Sequence, residues 1–343
     1  MPLSSGQAET WYTEVLYTAL NHLVALVLLI QRSRLLAPGT QPDSTKTYPC
    51  RPRLHACRIF LPSTAAADKP SSGAKLPLVI LVHGGGWAIN TPSRDDPLAR
   101  YLADHAGCVA VAIDYSKAPG SRFPVAYEDV VALTSAVIDD AELRVDKESV
   151  VLIGNSAGGN LVLAATQDER LRGRVKGVLG LYPGTDFTTT VAEKVATATR
   201  ADAEKPDMLE SGAPKMERMY IGPQRLELED VRLSPTFFKW RADLPEKVWL
   251  VGCEFDLLCR EAEVMAERLA MGKERVGGKD EWTVGGVRWT RVKGQTHGFD
   301  QFGVRGKAHE AERLRARAEL WGKMVEWLGE VFELEGTSKV SEE

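Results

Sequence analysis

The alternation of apolar and polar positions along the chain sets its architecture before any motif is considered. Six short apolar runs, at 54–62, 76–85, 108–115, 149–156, 175–183 and 247–256, have the length and composition of strands, and a seventh, weaker one lies at 289–299. The central runs are continuously apolar, as expected for parallel strands covered on both faces. Between them, amphipathic stretches at 95–106, 124–139, 157–168 and 260–271 predict helices, and 308–332 predicts a long C-terminal helix. Strand and helix taking turns means an α/β fold, with a mostly parallel central sheet flanked by helices.

Several segments break the pattern. Residues 37–49 are rich in Pro, Gly and Ser and read as a loop; the glycine-rich stretch 277–286 reads as a hairpin loop before the last strand. Residues 188–239 are polar and helix-prone, punctuated by Pro206, Pro214, Pro223 and Pro235, and look like an insertion. Residues 16–30 are strongly apolar. This run is short of the roughly 20 residues a membrane span requires and is interrupted by Asn21 and His22. Glu9 and Glu14 precede it where a secretory signal carries basic residues. A helix packed on the main domain is the preferred reading, with a membrane anchor as the alternative. The expected organisation is an N-terminal helical segment at 1–45, a main domain at 46–187 and 233–335, an insertion at 188–232 and a tail at 336–343.

Composition narrows the class of partner. The 343 residues are 44% hydrophobic and 26% charged, with a net charge of −4, as in a globular protein with no electrostatic reason to bind nucleic acid. A small-molecule substrate is the default. Five scattered cysteines, at 50, 57, 108, 253 and 259, lack the paired spacing of a zinc site and read as thiols of a reducing, cytoplasmic compartment. Oligomeric state is left open, a homodimer included.

The chemistry lies at strand ends. Gly154-Asn155-Ser156-Ala157-Gly158 matches G-x-S-x-G between an apolar strand and a helix, where a strained turn exposes a nucleophilic serine. His83-Gly84-Gly85-Gly86-Trp87 follows another apolar strand, and its glycines allow backbone amides to face a ligand. Amides of Gly85, Gly86 and Ala157, with Gly84 giving close approach, would form an oxyanion hole. A phosphate loop is excluded by the absence of G-x-x-x-x-G-K-[ST] and of G-x-G-x-x-G with its acidic partner. Such a serine needs an acid and then a histidine later in the chain. Asp256 follows the strand KVWLVGCEF, with Glu254 on the same side as competitor. Of the two histidines beyond Ser156, His309 sits in a charged helical run, whereas His297 lies in a turn after the last strand with Gly298 beside it.

HGGGW, GNSAGGN, Asp256-x-Leu258-x-x-Glu261 and the final HGF together resemble the hormone-sensitive-lipase-like family of α/β-hydrolases. Asp114-Tyr115, Ala118-Pro119, Phe123-Pro124 and Asp129 match a further element of that family, and the resemblance spans 53–332. It implies an esterase that uses Ser156, Asp256 and His297 through an acyl-enzyme, with no metal or organic cofactor. Ser234-Pro235, Asp243 and Leu244-Pro245 fit the family's approach to the acid-bearing strand and favour Asp256 over Glu254. The family also builds a cap from N-terminal helices and the segment after the sixth strand, here 11–36 and 188–239. Asn155 departs from the family's usual Asp, as do Ser116-Lys117, Gly120 and Cys259-Arg260 from their counterparts. Three alternatives remain: an arylformamidase-like amide hydrolase, a non-catalytic small-molecule receptor on the same fold, and a membrane-anchored lipase.

Overall fold

The computed structural model describes residues 40–63, 75–199, 207–222, 226–303 and 306–333. The expected N-terminal helix and the C-terminal tail lie outside them. Ten strands form one sheet in the order β1-β2-β4-β3-β5-β6-β7-β10-β9-β8. The strands are β1 (Ser44–Lys46), β2 (Cys57–Phe60), β3 (Leu76–Val82), β4 (Val109–Ile113), β5 (Val145–Asn155), β6 (Gly177–Leu181), β7 (Lys247–Phe255), β8 (Val276–Gly277), β9 (Glu281–Val284) and β10 (Val287–Thr296). The six from β4 to β10 run parallel; antiparallel strands close both edges.

The apolar runs carry two faces. Along β3, Leu78, Ile80 and Val82 pack with Val130, Leu161 and Met265 of α2 (Val125–Asp139), α3 (Ala157–Ala165) and α6 (Cys259–Ala270). The alternating Val79 and Leu81 pack with Leu98, Leu102, Met324 and Leu328 of α1 (Asp96–Ala106) and α7 (Lys307–Val331). Both layers are buried, so truncating one such Leu to Ala costs about 2–5 kcal/mol. Helix α1 carries Pro97 in its first turn and stops at Gly107, whose φ of 62° needs a residue without Cβ strain.

Two segments read as loops contain strands. β1 is three polar, largely exposed residues whose identity comes from pairing with β2, so no apolar pattern marks it. Within 277–286, β9 alternates inward Trp282 and Val284 with outward Thr283 and pairs with β10 across Gly285-Gly286. The remaining helices, α4 (Val191–Thr197) and α5 (Met208–Ile221), follow β6, each opened by a capping box. Among the described residues no helix is long and apolar enough to cross a membrane.

The chain passes from β3 outward to β4 and returns to β5 on β3's other side. Sheets of this kind open a crevice where the strand order reverses, beyond the carboxyl ends of the strands. Both glycine motifs stand there, at the ends of β3 and β5.

Candidate active site

Ser156 occupies the turn between β5 and α3 with φ 53° and ψ −118°, a conformation few side-chain-bearing residues adopt. Its N–H donates to the Leu181 carbonyl of β6 at 2.8 Å, which ties the turn to the sheet. The flanking glycines are a spatial requirement. A Cβ on Gly154 would stand 2.2 Å from the Gly158 carbonyl oxygen, and one on Gly158 would stand 2.0 Å from that of Val82. Backbone meets backbone at both places, leaving nothing flexible to give way.

His297 comes from the turn after β10, directed inward by Gly298 at φ 69°. Its Nε2 is 2.9 Å from Ser156 Oγ and its Nδ1 is 2.9 Å from Asp256 Oδ2. An ionised Asp256 only accepts, so Nδ1 carries the proton and Nε2 is free to accept from the serine hydroxyl. The other oxygen of Asp256 accepts from the Leu258 N–H at 2.9 Å. Glu254, the competing acid, accepts instead from the Gly294 N–H at 2.8 Å and serves the backbone of β10. Burial disfavours the His297 cation most, but Asp256, with Asp207 and Asp300 behind it, more than offsets this and holds the imidazole above its ordinary value. Tyr182 packs edge-on against the ring at 4.9 Å and donates to Asp300 at 2.5 Å.

The glycine loop after β3 lies against this pair. Gly85, Gly86 and Trp87 have φ of 128°, 55° and 58°, and a Cβ on Gly84 would come within 2.8 Å of the Asn155 carbonyl oxygen. His83 anchors the loop from below: its Nδ1 lies 2.8 Å from the Gly84 carbonyl oxygen and its Nε2 3.1 Å from Asp114, with its ring stacked on Tyr115. Burial pulls the His83 value down, and the Lys117 cation beside it adds to that. Both ring nitrogens thus face acceptors, the Gly84 carbonyl and the Asp114 carboxylate, and a neutral ring has one proton to give. Burial opposes charge on Asp114, yet contacts with His83 and Lys117 keep its carboxyl well below the usual range. Asn90 adds a bond from Nδ2 to the Gly84 carbonyl at 3.1 Å.

Ser156, His297, Gly84, Gly85, Gly86 and Ala157 line one cavity of about 890 Å³, its open mouth included. Its roof comes from the segment after β6. Met216 of α5 sits over Gly86, and Tyr220 stacks on Trp87 with ring centroids 4.8 Å apart. Lys194 of α4 bonds to the Asp186 carbonyl at 2.9 Å and lies 2.7 Å from Glu261 of α6, whose other oxygen accepts from the Thr185 N–H at 2.6 Å. Asp207 caps α5 through the Leu209 N–H at 2.7 Å and accepts from Leu257, next to Asp256, at 3.0 Å. The motifs pointed to Glu261, His83 and Asp114 without revealing what they hold. Lys194 and Met216 carry no local signal for their site contacts, and the capping-box pattern at Asp207 marks a helix start without revealing its bond to Leu257.

The family described as alpha/beta hydrolase fold matches residues 79–300. Probable carboxylesterase 5 of Arabidopsis thaliana is 36% identical over 149 residues, covering 38% of this chain and 46% of that protein. An arylesterase of Saccharolobus solfataricus is 28% identical over 56% of this chain and 61% of its own length. The chain thus spans about half to two thirds of the length of these curated relatives. Among solved structures, a hyperthermophilic esterase from the archaeon Pyrobaculum calidifontis aligns over 97% of this chain and 99% of its own, with TM-score 0.68 and 23% identity, a likeness of fold. On its motifs, its sheet and the match across most of the sheet domain, the chain belongs to the hormone-sensitive-lipase-like family of α/β-hydrolases.

Proposed function

We propose that the protein hydrolyses carboxylic esters of short to medium acyl length through an acyl-enzyme on Ser156. The observation that carries this reading is the unbroken contact from Asp256 to His297 to Ser156, two bonds of 2.9 Å, opening into a cavity walled by the Gly84–Gly86 loop. His297 takes the hydroxyl proton as Ser156 Oγ attacks the ester carbonyl, and Asp256 stabilises the resulting imidazolium. Amides of Gly85, Gly86 and Ala157 hold the oxyanion, each worth about 3 kcal/mol in comparable sites. His297 returns the proton to the leaving alcohol, then activates the water that releases the acid. Helices α4 and α5 act as part of a cap over the acyl pocket, and the apolar Trp87, Phe187 and Met216 favour an uncharged acyl chain near the nucleophile.

The test is hydrolysis of p-nitrophenyl esters of increasing acyl length by the wild type and by Ser156→Ala. The variant should fold and lose roughly four to six orders of magnitude in kcat. Equal turnover by the two would overturn the assignment. Labelling by a fluorophosphonate separates this reading from a receptor on the same fold, which would not react, and turnover of an aryl formamide in preference to any ester would point to amide chemistry.

A further inference from the structure

Asp95 and Asn155 face each other directly beneath the nucleophile, and both are buried. Asn155 Nδ2 donates to Asp95 Oδ1 at 2.9 Å. Among the described residues, the partner oxygen on each side, Asp95 Oδ2 and Asn155 Oδ1, has no hydrogen bond. An ionised Asp95 would leave both of these buried acceptors without a donor, a costly arrangement. A proton on Oδ2 would supply that donor, and its bond to the Asn155 carbonyl would complete an edge-to-edge pair with the bond already present. Asp95 Oδ1 also accepts from Gln301 Nε2 at 3.3 Å, and Gln301 lies four residues beyond His297.

We propose that Asp95 is held as the neutral acid, paired edge to edge with the Asn155 amide, and that this unit is a positioning device that fixes the Ser156 and His297 turns relative to one another. The surroundings agree. Arg94 directs its guanidinium to Gln301, at 2.7 Å to the carbonyl and 3.2 Å to Oε1. Asp96 on the same segment is engaged by Arg58 of β2, and Asp300 by Tyr182. Burial is the largest influence on Asp95; Arg94 opposes it, Asp300 and Asp96 reinforce it, the Gln301 bond opposes it, and the carboxyl is pushed up to about 8. The pairing also gives Asn155 a reason to differ from the family's usual Asp: a second carboxyl here would supply no amide donor.

The inference rests on Ser156 and His297 working together as proposed, but its first readout needs no turnover. A carboxyl neutral in the folded chain and ionised in the unfolded one makes stability fall as pH rises between its two values. The thermal midpoint of the wild type should therefore decline relative to Asp95→Asn from about pH 5 to about pH 8, because the introduced amide makes the same two bonds without titrating. An infrared difference between the two proteins should show a protonated-carboxyl band in the wild type at neutral pH. In ester hydrolysis, Asp95→Asn should stay within about threefold of the wild type at neutral pH, while Asp95→Ala loses at least about tenfold in kcat with KM little changed. Should the Ala variant not fold, Asp95→Asn decides alone. A midpoint difference that is flat or rises with pH, or a loss of activity in Asp95→Asn as deep as in Asp95→Ala, overturns the proposal. The stability slope and infrared band without any ester turnover would uphold the neutral pair while sinking the ester reading.

Discussion

The floor and the roof of the cavity are built on different principles. On the floor, main chain fixes main chain: the strand-end turns of β3 and β5 approach so closely that a methyl group on Gly158 would lie 2.0 Å from the Val82 carbonyl oxygen. In the roof, side chains make the contacts: Tyr220 on Trp87, Lys194 against Glu261, and Met216 laid over Gly86. Backbone contacts admit only one residue type at given positions, and so they write a motif into the sequence. Side-chain contacts can be met by many combinations and leave no such mark. The floor is therefore where the motifs stand, and the roof is where the choice of residue is least constrained.

The comparison can be broken most sharply at the acid. Asp256→Asn should lower kcat by about 10⁴, as the imidazole loses its orienting acceptor, whereas Glu254→Gln, which only bonds the Gly294 N–H, should cost less than about tenfold. Reversal of that order in ester hydrolysis would reassign the acid. At the floor itself, Gly158→Ala should reduce stability by about 1–3 kcal/mol and activity by about a hundredfold, read from the thermal midpoint and from kcat/KM. A variant as stable and active as the wild type would refute close approach as the reason for the glycine.

The pH profile sharpens the same contrast. With the neutral imidazole of His297 as the proposed base, kcat/KM should fall as pH drops through a value above the ordinary histidine figure of about 6.5. The stability gained from the protonated His297–Asp256 pair runs the other way, full below the unfolded value and lost as pH rises through the folded one. Asp207→Asn should move the acid limb downward, because a roof carboxylate contributes to the elevation; an unmoved limb would confine that effect to the floor. The smallest effect belongs to Met216→Ala, which should change KM for long against short acyl chains by less than about tenfold and leave kcat on the shortest ester nearly unchanged.

The sequence by itself determined the α/β alternation, the parallel core and the two glycine motifs, because burial on both sheet faces and backbone close approach each restrict residue type locally. It also placed His297 by its position after the last strand. Geometry distinguished Asp256 from Glu254, which share one side of a strand: one accepts from the imidazole and the other from the Gly294 backbone. The edge strand β1 and the short β9, between β10 and β8, were likewise invisible or ambiguous, being polar or short and defined by their partners. Only tertiary structure revealed the Asp95–Asn155 pair, the Lys194–Glu261 contact and the Asp207 bridge. Each joins residues at least 50 positions apart, and the chain carries no local pattern for a bond whose two ends meet only after folding.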